Sequence, residues 1–435
     1  MQLSIKNKLI RRFVELNEHT ESPELFLVWS LLGIASACAA REVRFQLGDT
    51  TIYPNQIVLL VGNSGVRKST VINTVSSLIP DYVAVAPNEI EAGSTGLIQY
   101  MSGITAMNKR KLEKNLKKFT AGIVPENELC FSDTDLNNMP IDAVEPKPIS
   151  NREPNFATPL ILNSEFATFI GHGAFKLLTT LSQLWDGSDY NRQGIQITKP
   201  LINVLSAITP STLAKVLPPE QAEQGFVSRC IFVYGEKTKQ VPRPKFFTPD
   251  KMPELTEAYN NIGHIYHDTL LAETDDAADY LDNLYLLNKT VRDFRFTYYN
   301  SRRHIHLIKV AMSIAILSNV TEITKDIYMD ADTILSATEA LMPQALGEYG
   351  LSKLSEAKQK LLDYIKQSEV PISYKELSQL ASQDMRDTDF SSILQGFVNS
   401  GKVFTWLSNN MRFYTTNKSS LRLADTLNKT REGIQ

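Results

Sequence analysis

The chain has 435 residues, of which 43% are hydrophobic and 21% charged, a composition typical of folded globular proteins rather than disordered ones. Its length exceeds what one hydrophobic core usually organises, so two or three domains are expected. The formal net charge of -3 gives no overall attraction to a polyanion, and any nucleic-acid binding has to come from local basic patches.

The three cysteines argue against a disulfide or zinc framework. Cys38, Cys130 and Cys230 lie far apart, without a C-x-x-C pair or a histidine-rich partner. This usage fits a reducing compartment, and we therefore expect a cytoplasmic protein.

The first predicted element is the most apolar run of the chain, Phe26 to Ala40. The run is about five residues short of a bilayer span, and no basic segment with a cleavage site precedes it in the manner of a signal peptide. We expect a buried helix that starts near the cap signal Ser22, Pro23 and Glu24, and no membrane association.

A strand, a loop and a helix follow in direct succession. The apolar run 57–61, IVLLV, predicts a strand covered on both faces of a parallel sheet. The run STVINTVSSLI has apolar residues at helical spacing. A second strand is expected at Tyr82–Ala86, which makes the fold class α/β.

The loop between them, in LLVGNSGVRKST, matches the phosphate-binding pattern G-x-x-x-x-G-K-[ST] except that Arg67 stands where the second glycine belongs. Backbone N–H groups at such a helix start bind phosphate. Lys68 is then the candidate for the β- and γ-phosphates, and the Ser69 hydroxyl for Mg²⁺. An arginine at position 67 is expected to need a negative φ. The nucleotide-binding candidates are Gly62, Asn63, Ser64, Gly65, Val66, Arg67, Lys68, Ser69 and Thr70.

Residues 106–157 predict an insertion between core elements. The basic run KRKLEKNLKKF places Arg110, Lys114 and Lys117 on one helical face, whereas 121–159 is acidic and rich in proline. The basic face either follows a phosphate backbone or is an ordinary solvated charge run.

The next predicted strand lies in TPLILNSEF, an apolar run that ends in polar residues. Glu165 is a candidate base for an attacking water, on a strand expected to lie next to that of the loop. Ser164 stands where an aspartate is common, and its uncharged oxygen suits only a metal-bound water. The alternative for Glu165 is an exposed residue at a strand end.

Three further positions are candidates for phosphoryl-transfer chemistry. Thr209 follows the apolar strand of PLINVLSAITP, and either senses the γ-phosphate or caps the next helix. Arg229, in GFVSRCIFVY, is either an arginine finger for a neighbouring subunit or a surface arginine. Arg302 opens a predicted helix with Arg303, and either clamps the γ-phosphate or is solvated.

The rest of the chain predicts an all-helical unit over about 253–341 and a different module after it. Residues 355–417 have the order helix, short strand, helix, helix and hairpin, which is that of a winged helix. Its presumed second helix, Thr388–Asn399, contains no Lys or Arg, which argues against base reading. The module binds either phosphates, with candidates Lys402, Arg412 and Lys418, or a protein.

In their order along the chain, these stretches resemble the phage- and plasmid-encoded replicative helicase ATPases of the AAA+ kind, relatives of the minichromosome-maintenance helicases. The resemblance covers most of residues 20–417 outside the insertion, and it rests on YPNQIVLLVGNSGVRKST, LILNSEF, LWDGSDYNRQG, PLINVLSAITPSTL, GFVSRCIFVYGE, RRHIHLIKVAMSIAIL and DIYMDADTILSATEAL with the terminal winged helix. It assigns Lys68 and Ser69 to Walker A, Glu165 to Walker B, Thr209 to sensor 1, Arg229 to the finger and Arg302 to sensor 2. Arg67 and Ser164 depart from the family pattern.

The resemblance implies a P-loop NTPase fold with four parts: an N-terminal helical segment (1–50), an ATPase core (51–250), a helical lid (251–350) and a winged-helix domain with a tail (351–435). It also implies ATP and Mg²⁺, a ring usually of six subunits, and helicase or translocase activity on single-stranded or forked DNA in phage or mobile-element replication, in the bacterial host cytoplasm. Two alternatives are an ATPase that loads or remodels a replication protein, and a hydrolysis-deficient winged-helix protein that binds DNA or protein.

Overall fold

The computed structural model describes residues 3–86, 94–102, 155, 157–170, 174–192, 195–217, 225–237, 239–244, 247–347, 351–368, 370–382, 385, 387–408 and 411–417. The chain divides into two compact units, Met1–Gly347 and Glu348–Gln435. Nearly all of the insertion predicted at 106–157 lies outside the described residues, and so do Arg110, Lys114, Lys117, Cys130 and Lys418.

Strands and helices of the first unit have the following bounds in chain order. The strands are β1 Val43–Leu47, β2 Thr50–Ile52, β3 Ile57–Val61, β4 Val85–Ala86, β5 Leu160–Asn163, β6 Tyr190–Arg192, β7 Ile195–Ile197, β8 Asn203–Ile208, β9 Cys230–Tyr234, β10 Thr269–Leu270, β11 Ala272–Glu273 and β12 Glu322–Ile323. The helices are α1 Lys8–Leu16, α2 Glu24–Ala39, α3 Lys68–Ser76, α4 Ser94–Met101, α5 Phe166–Ile170, α6 Ala174–Trp185, α7 Pro210–Val216, α8 Phe226–Arg229, α9 Pro253–Ile265, α10 Asp275–Leu287, α11 Thr297–Asn300, α12 Arg303–Leu317, α13 Lys325–Glu339 and α14 Met342–Leu346.

The centre of the first unit is a five-stranded, all-parallel sheet in the order β4-β5-β8-β3-β9. Strands β3, β5, β8 and β9 are buried along their whole length, as parallel strands covered by helices on both faces are. The predicted α/β class is therefore confirmed. The strand expected at Tyr82–Ala86 is shorter than predicted, since β4 has only two residues.

Helix α2 is the buried helix that the apolar run predicted. Fifteen of its 16 residues are buried, because the helix packs between the sheet and α12. Its few polar groups find partners inside the core: Trp29 Nε1 donates to Thr338 Oγ1 at 2.7 Å, and the hydroxyls of Ser36 and Ser313 are 2.8 Å apart. Pro23 occupies the N-cap and no side chain caps the helix, so the cap signal yields no side-chain bond.

The expectation that about 253–341 is all-helical was wrong in detail. Three short strands lie among its helices, and β10 pairs in parallel with β1, with Val43 opposite Thr269. The other two strands, β11 and β12, pair with each other. Long-range backbone pairing of two residues leaves no periodic signal in the sequence, which is why helical spacing dominated the prediction.

The second unit follows the predicted order of elements. It contains α15 Leu351–Gln367, β13 Ile372–Ser373, α16 Tyr374–Ala381, α17 Asp387–Asn399, β14 Phe404–Ser408 and β15 Met411–Thr415. The three strands form a sheet in the order β13-β15-β14, and the hairpin pairs Ser408 with Met411. Its core includes Leu361, Leu377, Phe390, Leu394 and Phe397.

Candidate functional site

A loop of six residues, 62–67, leaves the carboxyl end of β3 and enters α3. Strand β3 has a neighbour on each side, so the loop starts from the interior of the sheet. Asn63, Ser64 and Gly65 are exposed, and so is Ser69 at the start of α3, whereas Thr70 is partly buried. Val66 is buried and points away from the exposed part of the loop. The loop therefore presents backbone, rather than large side chains, to solvent.

Gly62 is required by close packing of two backbone segments. A Cβ atom at this position would lie 2.6 Å from the carbonyl oxygen of Gly235, which follows β9. Gly62 N donates to Ile208 O at 3.3 Å and Gly235 N donates to Val61 O at 3.0 Å, so the strands on both sides hold the start of the loop. A side chain at 62 would push these strands apart.

Lys68 is buried and turns back onto the loop. Its ammonium group donates to Gly62 O at 2.6 Å and to Asn63 O at 2.9 Å. Burial lowers the pKa of Lys68, and the carboxylate of Glu165 opposes that shift. Lys68 and Glu165 follow the carboxyl ends of β3 and β5, so both lie at the carboxyl edge of the sheet.

Arg67 contradicts the expectation of a negative φ. Its φ is 60° and its ψ 23°, which is the left-handed region. The side chain explains how a residue other than glycine is held there: Nε and Nη2 donate to Glu21 Oε2 at 2.9 and 2.8 Å. An ion pair thus accompanies the unfavourable backbone conformation.

Glu21 is the residue of this site that the sequence did not single out. Its side chain is 3% exposed, and besides Arg67 it accepts a hydrogen bond from Val241 N at 2.6 Å and lies 3.3 Å from Lys237 Nζ. The hydrogen bonds from Val241 and Arg67 lower the pKa of Glu21 to about 2. A glutamate 46 residues before its partner carries no local pattern, so only the fold could reveal it.

Glu165 lies one strand further from the loop than expected. Strand β8 separates β5 from β3, which places the ends of β5 and β3 about 10 Å apart. Glu165 is partly buried and Ser164 exposed, and Asn163 Oδ1 accepts from Glu165 N at 2.7 Å, which fixes the turn into α5.

Thr209 has the geometry of the capping alternative. It is the N-cap of α7, where Oγ1 accepts from Thr212 N at 3.2 Å and donates to Thr212 Oγ1 at 2.7 Å. Because β8 runs beside both β3 and β5, Thr209 nevertheless lies at the same carboxyl edge as Lys68 and Glu165.

Arg229 lies at the amino edge of the sheet, where the strands begin, and the loop lies at the carboxyl edge, where they end. It directly precedes β9, whose first residue is paired with Ile57 at the amino end of β3, so Arg229 is about 15 Å from the loop along the strands. Its guanidinium donates to both carboxylate oxygens of Asp186, at 3.0 and 2.7 Å, and to Gly225 O at 2.9 Å. Arg229 is therefore held by its own chain and turned away from its own loop.

Arg302 lies near Arg229 rather than near Lys68. It is the N-cap of α12, and one turn later His306 Nε2 donates to Ser228 O at 2.9 Å, next to Arg229. Burial and the Arg229 guanidinium lower the pKa of Arg302, while Asp186 opposes this. The neighbouring Arg303 is buried and forms ion pairs with Glu339 and Asp332.

In the second unit, the described candidates for nucleic-acid binding lie on the hairpin. Lys402 precedes β14, Arg412 lies on β15, and both are exposed. The exposed side chains of α17 are those of Asp387, Thr388, Ser391, Ser392, Gln395 and Asn399. This helix accordingly offers no cation to a phosphate or to a guanine.

The comparisons with known proteins add no identification. Neither the scan against family models nor the search of curated proteins gave a match. Within the described part of the chain, no helix is long and apolar enough to cross a bilayer. In the same residues, His, Cys, Asp and Glu side chains form no group of three or more with metal-ligand spacing.

Proposed function

We propose that this chain is a ring-forming ATPase of the AAA+ type that acts as a DNA helicase or translocase in phage or mobile-element replication. The observation that carries the ATPase part is the loop 62–67, which leaves an interior parallel strand with Lys68 beneath it and Glu165 on the next strand but one. Ligands of open α/β sheets bind at this carboxyl edge.

The loop fits a triphosphate in its backbone and its charge. Exposed amides between 63 and 65 lead into the positive end of the α3 dipole. Gly65, with a φ of 87°, and Arg67, with a φ of 60°, give the chain the turns that point successive N–H groups to one side. The Lys68 ammonium, which bonds two carbonyls of the loop, is positioned to exchange these for phosphate oxygens.

The hydroxyl groups at this edge suit a Mg²⁺ ion that is coordinated mainly by a nucleotide and water and only to a small extent by the protein. Ser69 provides an exposed hydroxyl at the start of α3, and Ser164 a second one across the edge. Mg²⁺ retains several waters and commonly takes few protein ligands beside phosphate oxygens. When bound, the ion would neutralise charge on the phosphates. Glu165 would accept the proton of the attacking water.

A second copy of the chain is needed to complete this site. Arg229 and Arg302 are at the amino edge, about one strand length from the loop of their own copy. A head-to-tail contact that brings the amino edge of one copy to the carboxyl edge of the next would supply both cations, and repetition of this contact closes a ring. Arg229 would then stabilise the charge that develops in phosphoryl transfer.

The nucleic-acid part rests on the resemblance and on the second unit. The order α15, β13, α16, α17 and hairpin is that of a winged helix, and Lys402 and Arg412 are its exposed cations on the described hairpin. We propose contacts to the phosphate backbone and no base reading by α17.

ATP binding by the full-length protein, measured by calorimetry at millimolar Mg²⁺, tests the proposal together with ATP hydrolysis and unwinding of a forked duplex. We expect single-stranded DNA to stimulate hydrolysis, and Lys68→Ala to reduce it by about 100-fold or more. Lys215→Ala, which changes an exposed lysine in the last turn of α7, is the matched control and keeps full activity. Full activity of Lys68→Ala would contradict the proposal.

One observation favours the loader or remodeller as a second candidate. The exposed face of α17 carries hydroxyls, amides and Asp387 but no cation, a surface better suited to a protein than to DNA. Hydrolysis without strand separation on the forked duplex would support this candidate. If calorimetry detects no ATP binding at all, the remaining alternative is a hydrolysis-deficient binding protein.

A further inference from the structure

The most unusual feature of the loop is Arg67, which occupies a position where glycine is usual and whose side chain is held by another residue. Arg67 is in the left-handed region directly before α3. Glycine adopts this conformation freely, whereas a residue with a Cβ atom does so only when its surroundings hold it there. The surroundings of Arg67 are provided by Glu21.

Glu21 is itself fixed from several sides. Its Oε1 accepts from Val241 N, and its Oε2 receives the Arg67 guanidinium and lies near Lys237. Its own φ is 62°, and it lies in the short segment before α2. The carboxylate therefore joins the loop to the segment that precedes α2 and to the chain that follows β9.

A buried carboxylate with bound donors is a rigid anchor. The side chain is 3% exposed, while that of Arg67 is 33% exposed, so Arg67 accounts for nearly all of the pair's exposure to solvent. Two N–H donors of the planar guanidinium converge on Glu21 Oε2, which fixes the orientation of the side chain as well as its distance. Rotation of Arg67 out of the left-handed region would break both bonds.

We propose that Glu21 is a positioning residue of the nucleotide loop, because its carboxylate holds Arg67 in the backbone conformation that the usual glycine would adopt unaided. This inference rests on the proposed function and deepens it, since it assigns the loop's geometry to a residue outside the motif. The arginine variant of the motif is then functional only together with Glu21.

Rescue by glycine separates this role from a general role in folding. ATP affinity is measured by calorimetry on the full-length protein for wild type, Glu21→Gln, Arg67→Ala, Arg67→Gly and the double variant Glu21→Gln with Arg67→Gly. We expect Glu21→Gln and Arg67→Ala to bind ATP about tenfold more weakly than wild type, and Arg67→Gly to bind about tenfold more tightly than Arg67→Ala. The double variant regains the affinity of Arg67→Gly, because glycine does not need the anchor.

The matched control is Glu18→Gln, an exposed glutamate three residues earlier, which leaves the affinity unchanged. Wild-type affinity in Glu21→Gln would overturn the inference. A double variant as weak as Glu21→Gln would overturn it as well, since the loss would then come from disturbed packing around position 21.

Hydrogen exchange of the nucleotide-free protein separates failure of this inference from failure of the proposed function. We expect the amides of residues 63–70 to exchange faster in Glu21→Gln and in Arg67→Ala than in wild type. Unchanged exchange would overturn the anchor even if ATP binds. Absence of ATP binding in wild type would overturn the proposed function, while the exchange rates still show whether Glu21 orders the loop.

Discussion

The two edges of the central sheet differ in how they hold their cations. At the carboxyl edge, Lys68 lies beneath an exposed backbone loop, and Glu165 follows β5 at the same edge. At the amino edge, Arg229 is paired with Asp186 on its own chain, with Arg302 beside it. One edge has an exposed backbone loop with a buried lysine, and the other has two arginines, of which Arg229 is paired with a carboxylate.

This difference indicates which groups can act together. Strands of five residues separate the edges by about 15 Å, which is beyond the reach of an arginine side chain. Within one copy, the loop and Arg229 therefore cannot contact the same phosphate. In the proposed ring, the loop of one copy and Arg229 of the next would share a phosphate once Arg229 exchanges Asp186 for a phosphate oxygen.

The largest expected effect comes from mixing two inactive variants, which tests whether the loop of one copy acts together with Arg229 of another. We expect Lys68→Ala and Arg229→Ala each to lose hydrolysis by about 100-fold or more, because loop lysines and arginine fingers both stabilise phosphoryl transfer. In an equal mixture, about a quarter of the interfaces combine an intact loop with an intact arginine, and activity returns in that proportion.

The control for mixing is each variant mixed with itself, which stays inactive. Activity of Arg229→Ala alone, or a mixture without recovery, would show that the amino edge is not part of the site. Mass photometry with ATP and single-stranded DNA checks that the variants still assemble.

Substitution of Gly62 sharpens the account of the carboxyl edge. A Cβ atom there would lie 2.6 Å from the backbone oxygen of Gly235, so Gly62→Ala should destabilise the first unit by about 1–3 kcal/mol. The control is Gly33→Ala in α2, whose Cβ would have the side chain of Leu205 as its nearest neighbour, at 3.7 Å. Urea unfolding measures both, and equal midpoints for the two variants would contradict the close approach.

The ion pairs Glu21–Arg67 and Asp186–Arg229 should contribute differently to stability. The pKa of Glu21 is lowered from 4.5 to about 2, so its contribution to stability is present above pH 4.5 and is lost as the pH falls towards 2. We expect Glu21→Gln to lower the Tm most at neutral pH, with the deficit shrinking below pH 4.5. Asp186→Asn should lower it less, because Asp186 is 39% exposed. A deficit of Glu21→Gln that grows in acid would contradict the lowered pKa.

The smallest expected effect concerns the second unit. If the hairpin contacts phosphates, Lys402→Ala and Arg412→Ala should each reduce the slope of log affinity against log salt by about one. Lys366→Ala is the control, since this exposed lysine of α15 is paired with Asp363. An unchanged slope in the double variant would favour a protein partner for this unit.

Much of the fold could be predicted from local patterns. The all-apolar run 57–61 predicted β3, the apolar run 26–40 predicted α2, and residues 355–417 predicted the order of elements in the second unit. Each pattern reflects burial of one element, which depends mainly on its own residues. The pairing of β10 with β1 and the position of β8 between β5 and β3 depend on partners far along the chain and left no such pattern.

The candidate site divides in the same way. The positions of Gly62, Lys68 and Ser69 follow from a motif in which spacing and chemistry are local. The φ of Arg67 was predicted with the wrong sign, because the prediction considered only the Cβ atom and not a distant carboxylate. Thr209 was open between two roles, and its hydrogen bonds to Thr212 have the geometry of a cap.

The sequence by itself determined the strand, loop and helix around Lys68. The spacing of apolar residues that predicts the strand and the helix, and the glycine that such a loop needs, are both local features of the sequence. Only the tertiary structure decided that Glu21 holds Arg67, that Gly235 excludes a side chain at Gly62, and that Arg229 lies at the edge away from its own loop. These three relations join segments that are remote in sequence, and their energies depend on distances that exist only once the chain has folded.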